Sequence, residues 1–326
     1  MERFEALPES ERADRYARLA RKALSTYGLD EARLTYLGES SHVTFEVTTG
    51  DPSRHYALRI CGSDQDPNAL QREILWLTTL RRDTDLAVPE PILTMDGRLV
   101  QKASVAGIPG FRPYVLFRWV DGESLDHELT STHLRSVGRL IAALHGHAET
   151  FRWPEEITPP RRNATLMSEV LDEGLLRTHY TTEKIEIFRR AVRLIAETMS
   201  FLRDGRDVAG VIHADLDRRN VLFLHDDARA IGFESCRWGY YAYDLATVRG
   251  WIEGREEGSA LVAALLEGYR SKQDVPADFD RQIDVFSALR TIDRVQSTLP
   301  KPGRTASTAR RLDVQLEKLR AFVETH

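Results

Sequence analysis

The sequence predicts an α+β protein with a small antiparallel β-sheet near its N-terminus and a larger, mainly helical C-terminal part. Three observations support this fold class. Short segments that alternate apolar and polar residues occur before residue 118, turn residues separate them, and amphipathic helical spacing dominates after residue 122. We therefore expect a two-lobed protein, with an N-terminal lobe at 1–118, a connector at 119–122 and a helical lobe at 123–326.

The N-terminal lobe is predicted to begin with a helix over 10–27, because apolar residues recur there with helical spacing and Gly28 ends the pattern. Strand-like segments follow at 34–37, 43–48, 56–60, 98–101 and 114–117. A turn with glycine and proline at 49–52 suits the connection of two antiparallel strands. Helical spacing returns over 67–83, so one helix is inserted into the sheet lobe.

The C-terminal lobe is predicted to consist mainly of amphipathic helices. Their spans are 132–148, 183–202, 259–269, 283–298 and 309–323. Short strand and loop segments interrupt them within 211–246, so this stretch has a different role from the helices around it.

Composition excludes several classes of protein. The chain has 326 residues, 42% hydrophobic and 29% charged, which is ordinary for a soluble globular protein. A net charge of −5 argues against a general nucleic-acid binder, and no apolar run is long enough to cross a bilayer. Only Cys61 and Cys236 occur, which fits a reducing compartment without disulfides. We expect a cytoplasmic protein without nucleic-acid or membrane partners; the sequence leaves the oligomeric state open.

The stretch 211–246 carries the strongest chemical signal. His213, Asp215 and Asn220 have the spacing H-x-D-x-x-x-x-N. In kinase chemistry the Asp of such a loop accepts the proton of the attacking hydroxyl, and the Asn five positions later holds Mg²⁺. These residue types are also common in turns, but Asn occurs only three times in the chain and apolar runs flank the motif. The motif therefore favours a phosphotransferase loop, in which His213 packs rather than reacts.

The same stretch resembles the aminoglycoside phosphotransferase/choline kinase family of the protein-kinase-like superfamily. Its residue pattern is most similar to that of the branch with homoserine-kinase-type and stress-response-kinase-type members. That branch has the motifs I-H-A-D-L-H-x-x-N-V-L-F, I-D-F-D-D and G-Y-x-x-Y-D-L-A. The corresponding runs here are IHADLDRRNVLF, IGFES and GYYAYDLA. The resemblance extends over nearly the whole chain and is specific for the family but weak for the substrate. It implies a bilobal protein-kinase-like fold that uses ATP and Mg²⁺.

The resemblance also implies roles for residues of the N-terminal lobe and the connector. Arg59 stands where the family has its phosphate-gripping lysine, and Glu73 is the acid that would orient it. The alternative is an exposed strand charge and a solvated helix charge. The remaining nucleotide-binding positions are Ser40 and Ser41, in the loop over the phosphates, and Trp119 and Val120, where the connector backbone would meet adenine. That loop is not rich in glycine, and the connector could equally be a linker with aromatic packing.

Three positions depart from the family pattern. Gly232 replaces the principal Mg²⁺ carboxylate, Ser235 replaces another acid, and Asp217 replaces a common His. Glycine offers only a backbone oxygen, whereas Mg²⁺ prefers charged oxygen ligands. Loss of the carboxylate should weaken nucleotide binding and leave phosphate charge poorly neutralised.

Three explanations for Gly232 remain open. Glu234 could substitute as a metal ligand, because alternation along a strand would place it on the same face as Gly232. The chain could be a pseudokinase that binds nucleotide or metabolite without efficient turnover. Gly232 could also be an accidental or engineered change in an otherwise active enzyme.

The function that the resemblance implies is transfer of the ATP γ-phosphate to a hydroxyl of a small molecule. Asp215 would be the base, Asn220 and Glu234 the metal ligands, and Asp244 would steady the loop. Alternatives are the pseudokinase and a kinase that acts on Ser or Thr of a peptide. Four acidic residues could receive a cationic acceptor or simply form a solvated helix face: Glu253, Glu256, Glu257 and Glu267.

Overall fold

A computed structural model describes residues 4–52, 54–62, 66–125, 128–158, 171–202, 205–299 and 306–326. The chain divides into two compact units. The first comprises Met1–Gly122, Trp153–Ile157 and Arg229–Glu234, and the second comprises Glu123–Arg152, Thr158–Ala228 and Ser235–His326. The first unit contains an antiparallel sheet and the second is mainly helical, so the predicted α+β class is confirmed.

The first unit is built on an antiparallel sheet of six strands with the path β1-β2-β3-β6-β4, and β5 also pairs with β6. Its elements are α1 (Glu9–Ser25), β1 (Arg33–Glu39), β2 (His42–Thr48), β3 (His55–Cys61), α2 (Pro67–Asp83), β4 (Pro91–Ile92), β5 (Gln101–Ala103) and β6 (Arg112–Arg118). In β2 every second residue is buried, which is the pattern of a strand with one face on a core. In β3 burial extends to Arg59, so this strand carries a charge into the interior.

Local signals set the ends of both helices in this unit. The Asp66 side chain accepts a hydrogen bond from the Asn68 N–H at 2.9 Å, and Pro67 occupies the first turn of α2. After α1, Gly28 has φ +65° and the Leu29 N–H donates to the Leu24 carbonyl at 3.1 Å. This bond over five residues closes the helix as in a Schellman motif.

The strand predicted at 98–101 was placed too early. The structure begins β5 at Gln101, and it also contains the two-residue β4, which was not predicted. Both strands are short and lie on β6, so their pairing rather than their own alternation determines where they form.

The second unit consists mainly of helices. Its elements are α3 (Ser131–Thr150), α4 (Glu173–Arg177), α5 (Thr182–Phe201), β7 (Ala209–Ile212), β8 (Val221–Leu224), β9 (Asp227–Ala230, whose last two residues belong to the first unit), β10 (Arg237–Tyr240), α6 (Ala242–Ile252), α7 (Gly258–Arg270), α8 (Phe279–Thr298) and α9 (Ala306–Thr325). β7 and β10 form an antiparallel two-stranded sheet with Arg237 opposite Ile212, and β8 pairs with β9 in a second two-stranded sheet. Within the described residues, no helix combines the length and the apolar character that a membrane crossing requires.

Two glycines let α3 and α7 approach each other closely. A Cβ on Gly138 would lie 2.1 Å from the Leu265 carbonyl oxygen, and a Cβ on Gly268 would lie 2.2 Å from the Arg135 carbonyl oxygen. Both obstacles are backbone atoms of the opposing helix, which cannot move aside as the end of a side chain can. The crossing therefore requires glycine on both helices.

We predict that Gly138→Ala destabilises the protein by about 2 kcal/mol or more, because overpacked helix contacts typically cost about 1–3 kcal/mol. Urea unfolding measures the effect. Gly146→Ala on the same helix is the matched control, since its Cβ would meet only a Gln273 side-chain atom at 3.9 Å. The control should be neutral or stabilising, as alanine favours a helix interior over glycine. Equal stability of the two variants would contradict the close crossing.

Candidate active site

The predicted catalytic loop follows β7 in the second unit. Asp215 is held by Asn220, whose Nδ2 donates to the Asp215 backbone carbonyl at 2.8 Å and to its Oδ2 at 3.1 Å. The Asp215 side chain retains 37% of its exposure, whereas His213 is fully buried. The Asp215 N–H donates to His213 Nδ1 at 3.3 Å. The loop therefore presents one carboxylate outward, and His213 has the packing position that the sequence predicts.

The loop includes a strained backbone position at Ala214. Its φ of +67° lies in the left-handed region, which costs about 1–2 kcal/mol for a residue with a Cβ. The Ala214 N–H donates to Asp244 Oδ1 at 2.7 Å, and its carbonyl accepts from Arg290 Nη1 at 3.2 Å. Bonds to both sides of the residue thus hold a conformation that the chain would otherwise avoid.

Asp244 organises this loop from the interior. Its Oδ2 accepts the His213 N–H at 2.9 Å and lies 3.1 Å from His145 Nε2, while His145 Nδ1 lies 3.0 Å from the Tyr269 hydroxyl. Asp244 and His145 are both fully buried. Burial by itself raises the pKa of Asp244, but the hydrogen bond with His145, the nearby histidine charges and the Ala214 N–H outweigh it. The net result is a lowered pKa, so Asp244 is ionised at neutral pH.

Arg290 on α8 also contacts the loop. Its Nη1 donates to the Tyr243 hydroxyl at 3.0 Å, and its Nη2 lies 3.7 Å from Asp215 Oδ1. This residue was not among those predicted from the sequence. The available signal was an arginine pair, Arg290 and Arg294, spaced i,i+4 within a helix whose neighbouring residues are apolar.

Arg59 and Glu73 form a buried ion pair in the first unit. Arg59 Nη1 donates to Glu73 Oε1 at 2.7 Å, and Nη2 donates to Oε2. Arg59 is 6% and Glu73 2% exposed, so the alternative of two solvated charges is wrong. The guanidinium also lies 5.0 Å from the centre of the Phe117 ring. Burial opposes the charge, but Glu73 more than offsets it, and the pKa of Arg59 is raised.

Glu234 and His42 complete the surroundings of Arg59. Glu234 Oε2 lies 3.5 Å from Arg59 Nη1, and Glu234 Oε1 lies 3.9 Å from His42 Nε2. Burial and the positive charge of Arg59 lower the pKa of His42 to about 4, despite the opposing effect of Glu234. His42 is therefore neutral at pH 7, and its place beside Arg59 was not predicted from the sequence.

The backbone at Gly232 differs from the predicted strand. Phe233–Ser235 is a 3-10 turn, so the expectation that strand alternation places Gly232 and Glu234 on one face is wrong. Gly232 has φ +75°, in the left-handed region that favours glycine. The Phe233 ring packs against Trp76 at 5.4 Å, and this burial accounts for the turn, because the apolar side chain is fixed in the core.

The other predicted nucleotide-binding residues lie on the first unit. Ser40 and Ser41 form the exposed β1–β2 turn, where the Ser40 N–H donates to the His42 carbonyl at 2.9 Å. Trp119 continues from β6 and stacks on the His55 ring at 4.3 Å. Trp119 and Val120 are both half-buried. Of the predicted residues, the first unit brings Arg59 together with Glu73 and Glu234.

The donor set for Mg²⁺ is small. Because the Asn220 amide nitrogen is bonded to Asp215, its amide oxygen remains for a hard cation, and the Asp215 carboxylate lies beside it. The described residues contain no cluster of three or more His, Cys, Asp or Glu side chains suited to a metal. Mg²⁺ usually binds through one or two carboxylates together with phosphates and water. The Asn220 amide oxygen fits the ion as one ligand, while position 232 supplies no carboxylate.

The fold of the two units and the motif of the loop point to one protein family. A family model described as the phosphotransferase enzyme family matches residues 34–281. This span is well over half of the chain, which therefore belongs to that family, as the sequence motifs predict.

Individual relatives agree with this assignment. The chain is 29% identical over 205 residues to a homoserine kinase of Sinorhizobium medicae, covering 59% of this chain and 56% of that protein. It thus spans little more than half the length of that curated relative. A microcompartment-associated aminopropanol kinase is 25% identical with a TM-score of 0.77, covering 94% of this chain and 96% of the other. An amicoumacin kinase in complex with AMP-PNP and Ca²⁺ has a TM-score of 0.77 at 17% identity, covering 96% of each chain. The predicted protein-kinase-like fold is confirmed.

We predict that Asp244→Asn lowers the free energy of unfolding by about 3 kcal/mol at pH 7, since it breaks a buried charged network. The lowered pKa of Asp244 stabilises the fold fully above its unfolded value of about 4, and this contribution is lost as the pH falls through the folded value. The difference between wild type and variant should therefore shrink below about pH 4. Urea unfolding at several pH values measures it.

The matched control for this prediction is Asp274→Asn, which removes an exposed carboxylate. It should leave the unfolding free energy unchanged at every pH. A difference between wild type and Asp244→Asn that stays constant from pH 7 to pH 3 would contradict the role given to the ionised carboxylate.

Proposed function

We propose that the protein is an ATP-dependent phosphotransferase that transfers the γ-phosphoryl group to a hydroxyl of a small molecule. The observation that carries the proposal is the outward carboxylate of Asp215, fixed by Asn220 on one side and by the clamped Ala214 on the other. A base held in this way is what transfer to an alcohol requires.

In this proposal Asp215 accepts the proton of the acceptor hydroxyl as the hydroxyl oxygen attacks the γ-phosphorus, while the bond from that phosphorus to the β–γ bridging oxygen breaks and ADP leaves. Asn220 keeps the carboxylate oriented through its Nδ2 and offers its amide oxygen to Mg²⁺, with Glu234 proposed as a second ligand. The ion, when bound, supplies positive charge that neutralises the phosphates. His213 and Asp244 position the loop without touching the reacting atoms.

The role proposed for Arg59 is electrostatic. Nη1 and Nη2 each donate one N–H to Glu73, so the end of the guanidinium is occupied by that carboxylate. The pKa of Arg59 is raised, and it therefore carries a permanent positive charge at the level of β3. Ser40 and Ser41 are proposed to cover the phosphates, and the backbone of Trp119 and Val120 to meet adenine.

A small acceptor is favoured over a Ser or Thr of a peptide, because the relatives are named for small molecules. Those names differ from one another, so they select no single acceptor. Both cysteines are buried and form no disulfide, which agrees with a proposed cytoplasmic location.

A second candidate is a nucleotide-binding protein with impaired turnover. The observation that favours it is Gly232, which leaves the chain without a carboxylate at the position where the family resemblance places one. An electrostatic loss of several kcal/mol at a phosphoryl group would lower the rate by a factor of about a thousand or more.

We predict that Asp215→Asn lowers kcat for phosphoryl transfer about 100- to 10,000-fold, because a general base typically contributes that factor. ATP affinity should remain within about threefold of wild type, since the base contacts the acceptor rather than the nucleotide. A coupled assay of ADP release and a nucleotide titration provide the two readouts. Asp217→Asn, in the same loop, is the control and should lower kcat less than about tenfold. Equal losses in the two variants would argue against Asp215 as the base.

Gly232→Asp tests whether the missing carboxylate limits the protein. We expect it to tighten Mg²⁺-dependent ATP binding at least about tenfold, since an added charged ligand suits the ion. Gly232→Asn is the matched control, because Asn bears the same strain at φ +75° without the charge and should not gain affinity. Nucleotide titrations with and without Mg²⁺ measure both variants.

The wild type decides between the two candidates in the same experiment. Mg²⁺-dependent ATP binding with phosphoryl transfer at a rate typical of kinases would establish the phosphotransferase and reject impairment. Transfer by Gly232→Asp alone would establish the impaired form. Absence of ATP binding in all three proteins would overturn both candidates.

A further inference from the structure

A cavity of about 470 Å³ lies in the second unit among α6, α8 and α9. Arg290 lines it and also contacts the catalytic loop, with Nη2 3.7 Å from Asp215 Oδ1. The guanidinium of Arg290 is therefore common to the wall of the cavity and to the catalytic loop. The volume suits a compact molecule rather than a peptide.

Cationic side chains outnumber carboxylates around this cavity. Arg249, Arg290, Arg294 and Lys318 line it, together with the carboxylates of Glu253 and Asp284. A cavity with this surplus favours an anionic ligand.

The ion pairs show where the surplus lies. Glu253 Oε1 lies 3.1 Å from Arg249 Nη2, and Glu253 Oε2 lies 3.6 Å from Lys318 Nζ. Asp284 is bonded to Arg249 as well. Arg290 has Asp215 as its carboxylate neighbour. Among the residues that the structure describes, Arg294 has no carboxylate within ion-pair distance, so its charge is the unbalanced one.

The position of Arg294 makes this imbalance unfavourable without a ligand. Arg290 and Arg294 are four residues apart on α8, a spacing at which like charges repel. Burial and the charge of Arg290 lower the pKa of Arg294, although Asp217 opposes this. Arg294 Nη1 lies 3.3 Å from where a Cβ of Gly250 would be, so the guanidinium packs closely over α6.

Hydroxyl side chains lie on the same face of α8 as the two arginines. Ser287 lines the cavity, and its Oγ is buried without a hydrogen-bond partner among the described residues. Ser287, Arg290, Thr291 and Arg294 form one stripe at helical spacing.

We propose that this cavity binds the molecule that accepts the phosphoryl group and that it selects a small alcohol with a carboxylate. Arg294 binds that carboxylate. One unbalanced guanidinium matches one negative charge, and an arginine fork suits a carboxylate. The inference rests on the proposed function, because the link through Arg290 to Asp215 is what makes the ligand an acceptor.

The acidic residues that could have received a cationic acceptor have other partners or lie in solvent. Glu267 pairs with Arg135 at 2.8 Å, and Glu253 pairs with Arg249. Glu256 and Glu257 are exposed. The cavity therefore discriminates against an amine rather than for it.

Three probes of equal length test the proposal. 4-Hydroxybutanoate, 1,4-butanediol and 4-amino-1-butanol each have a hydroxyl at one end and an anionic, neutral or cationic group at the other. Binding to the full chain is measured by calorimetry without nucleotide, and phosphorylation is then measured with ATP and Mg²⁺. We expect 4-hydroxybutanoate to bind at least about tenfold more tightly than the other two, as a charge-assisted contact would give.

Arg294→Gln should remove this preference, whereas Arg281→Gln, an exposed arginine on the same helix, should keep it. Thermal unfolding checks the variants. If Arg294→Gln does not fold, the relative affinities of the wild type for the three probes still test the carboxylate preference. Equal binding of all three, a preference for the amine, or unchanged binding by Arg294→Gln would overturn the proposal.

The proposed function and the carboxylate preference can fail separately. Phosphorylation of all three probes at similar rates would leave the proposed function standing and overturn the carboxylate preference. Binding of 4-hydroxybutanoate that depends on Arg294, without transfer from ATP to any probe, would overturn the proposed function and support the anion site.

Discussion

The ionised carboxylate of Asp244 is the interaction on which the catalytic loop depends. A fully buried charge is costly, and here two backbone N–H groups and His145 stabilise it. Those N–H groups belong to His213 and Ala214, so the same contacts that satisfy the charge also hold the left-handed residue before Asp215. The outward position of Asp215 is therefore a consequence of the hydrogen bonds that the buried Asp244 carboxylate accepts.

The first unit balances its buried charge differently. Arg59 lies between Glu73 and Glu234, and both carboxylates are on segments that come from outside β3. Glu73 accepts a hydrogen bond from each Nη atom of Arg59, which fixes the orientation of the pair. Glu234 is the more exposed partner, with 24% of its side chain accessible. A lysine could not make this two-pronged contact, which explains why an arginine at this position becomes buried rather than directed outward.

The elements with strong periodicity could be predicted from the sequence, whereas contacts that only tertiary packing creates could not. The alternation in β2 and the helical spacing over 67–83 identified those elements correctly, and the spacing of Asp215 and Asn220 identified the loop. Alternation predicts an extended chain through Gly232, because the apolar run at 229–231 precedes it. The structure has a turn at Phe233–Ser235 instead, which depends on the packing of Phe233 on Trp76. The local signal for Arg290 was only its i,i+4 spacing from Arg294, since the partners that define its role are 47 and 76 residues away.

Arg290 connects the catalytic loop with the cavity that is proposed to bind the acceptor. Its Nη1 supports the strained Ala214 and its Nη2 neighbours Asp215, while its side chain lines the cavity. A negative charge bound at Arg294 would lower the repulsion between the two arginines and so strengthen the hold of Arg290 on the loop. Binding energy from a remote part of the acceptor would then position the base, which raises the rate of transfer rather than only the affinity. An acceptor that lacks the charge would fill the cavity without this gain, so the selectivity expected in binding should be increased further in turnover.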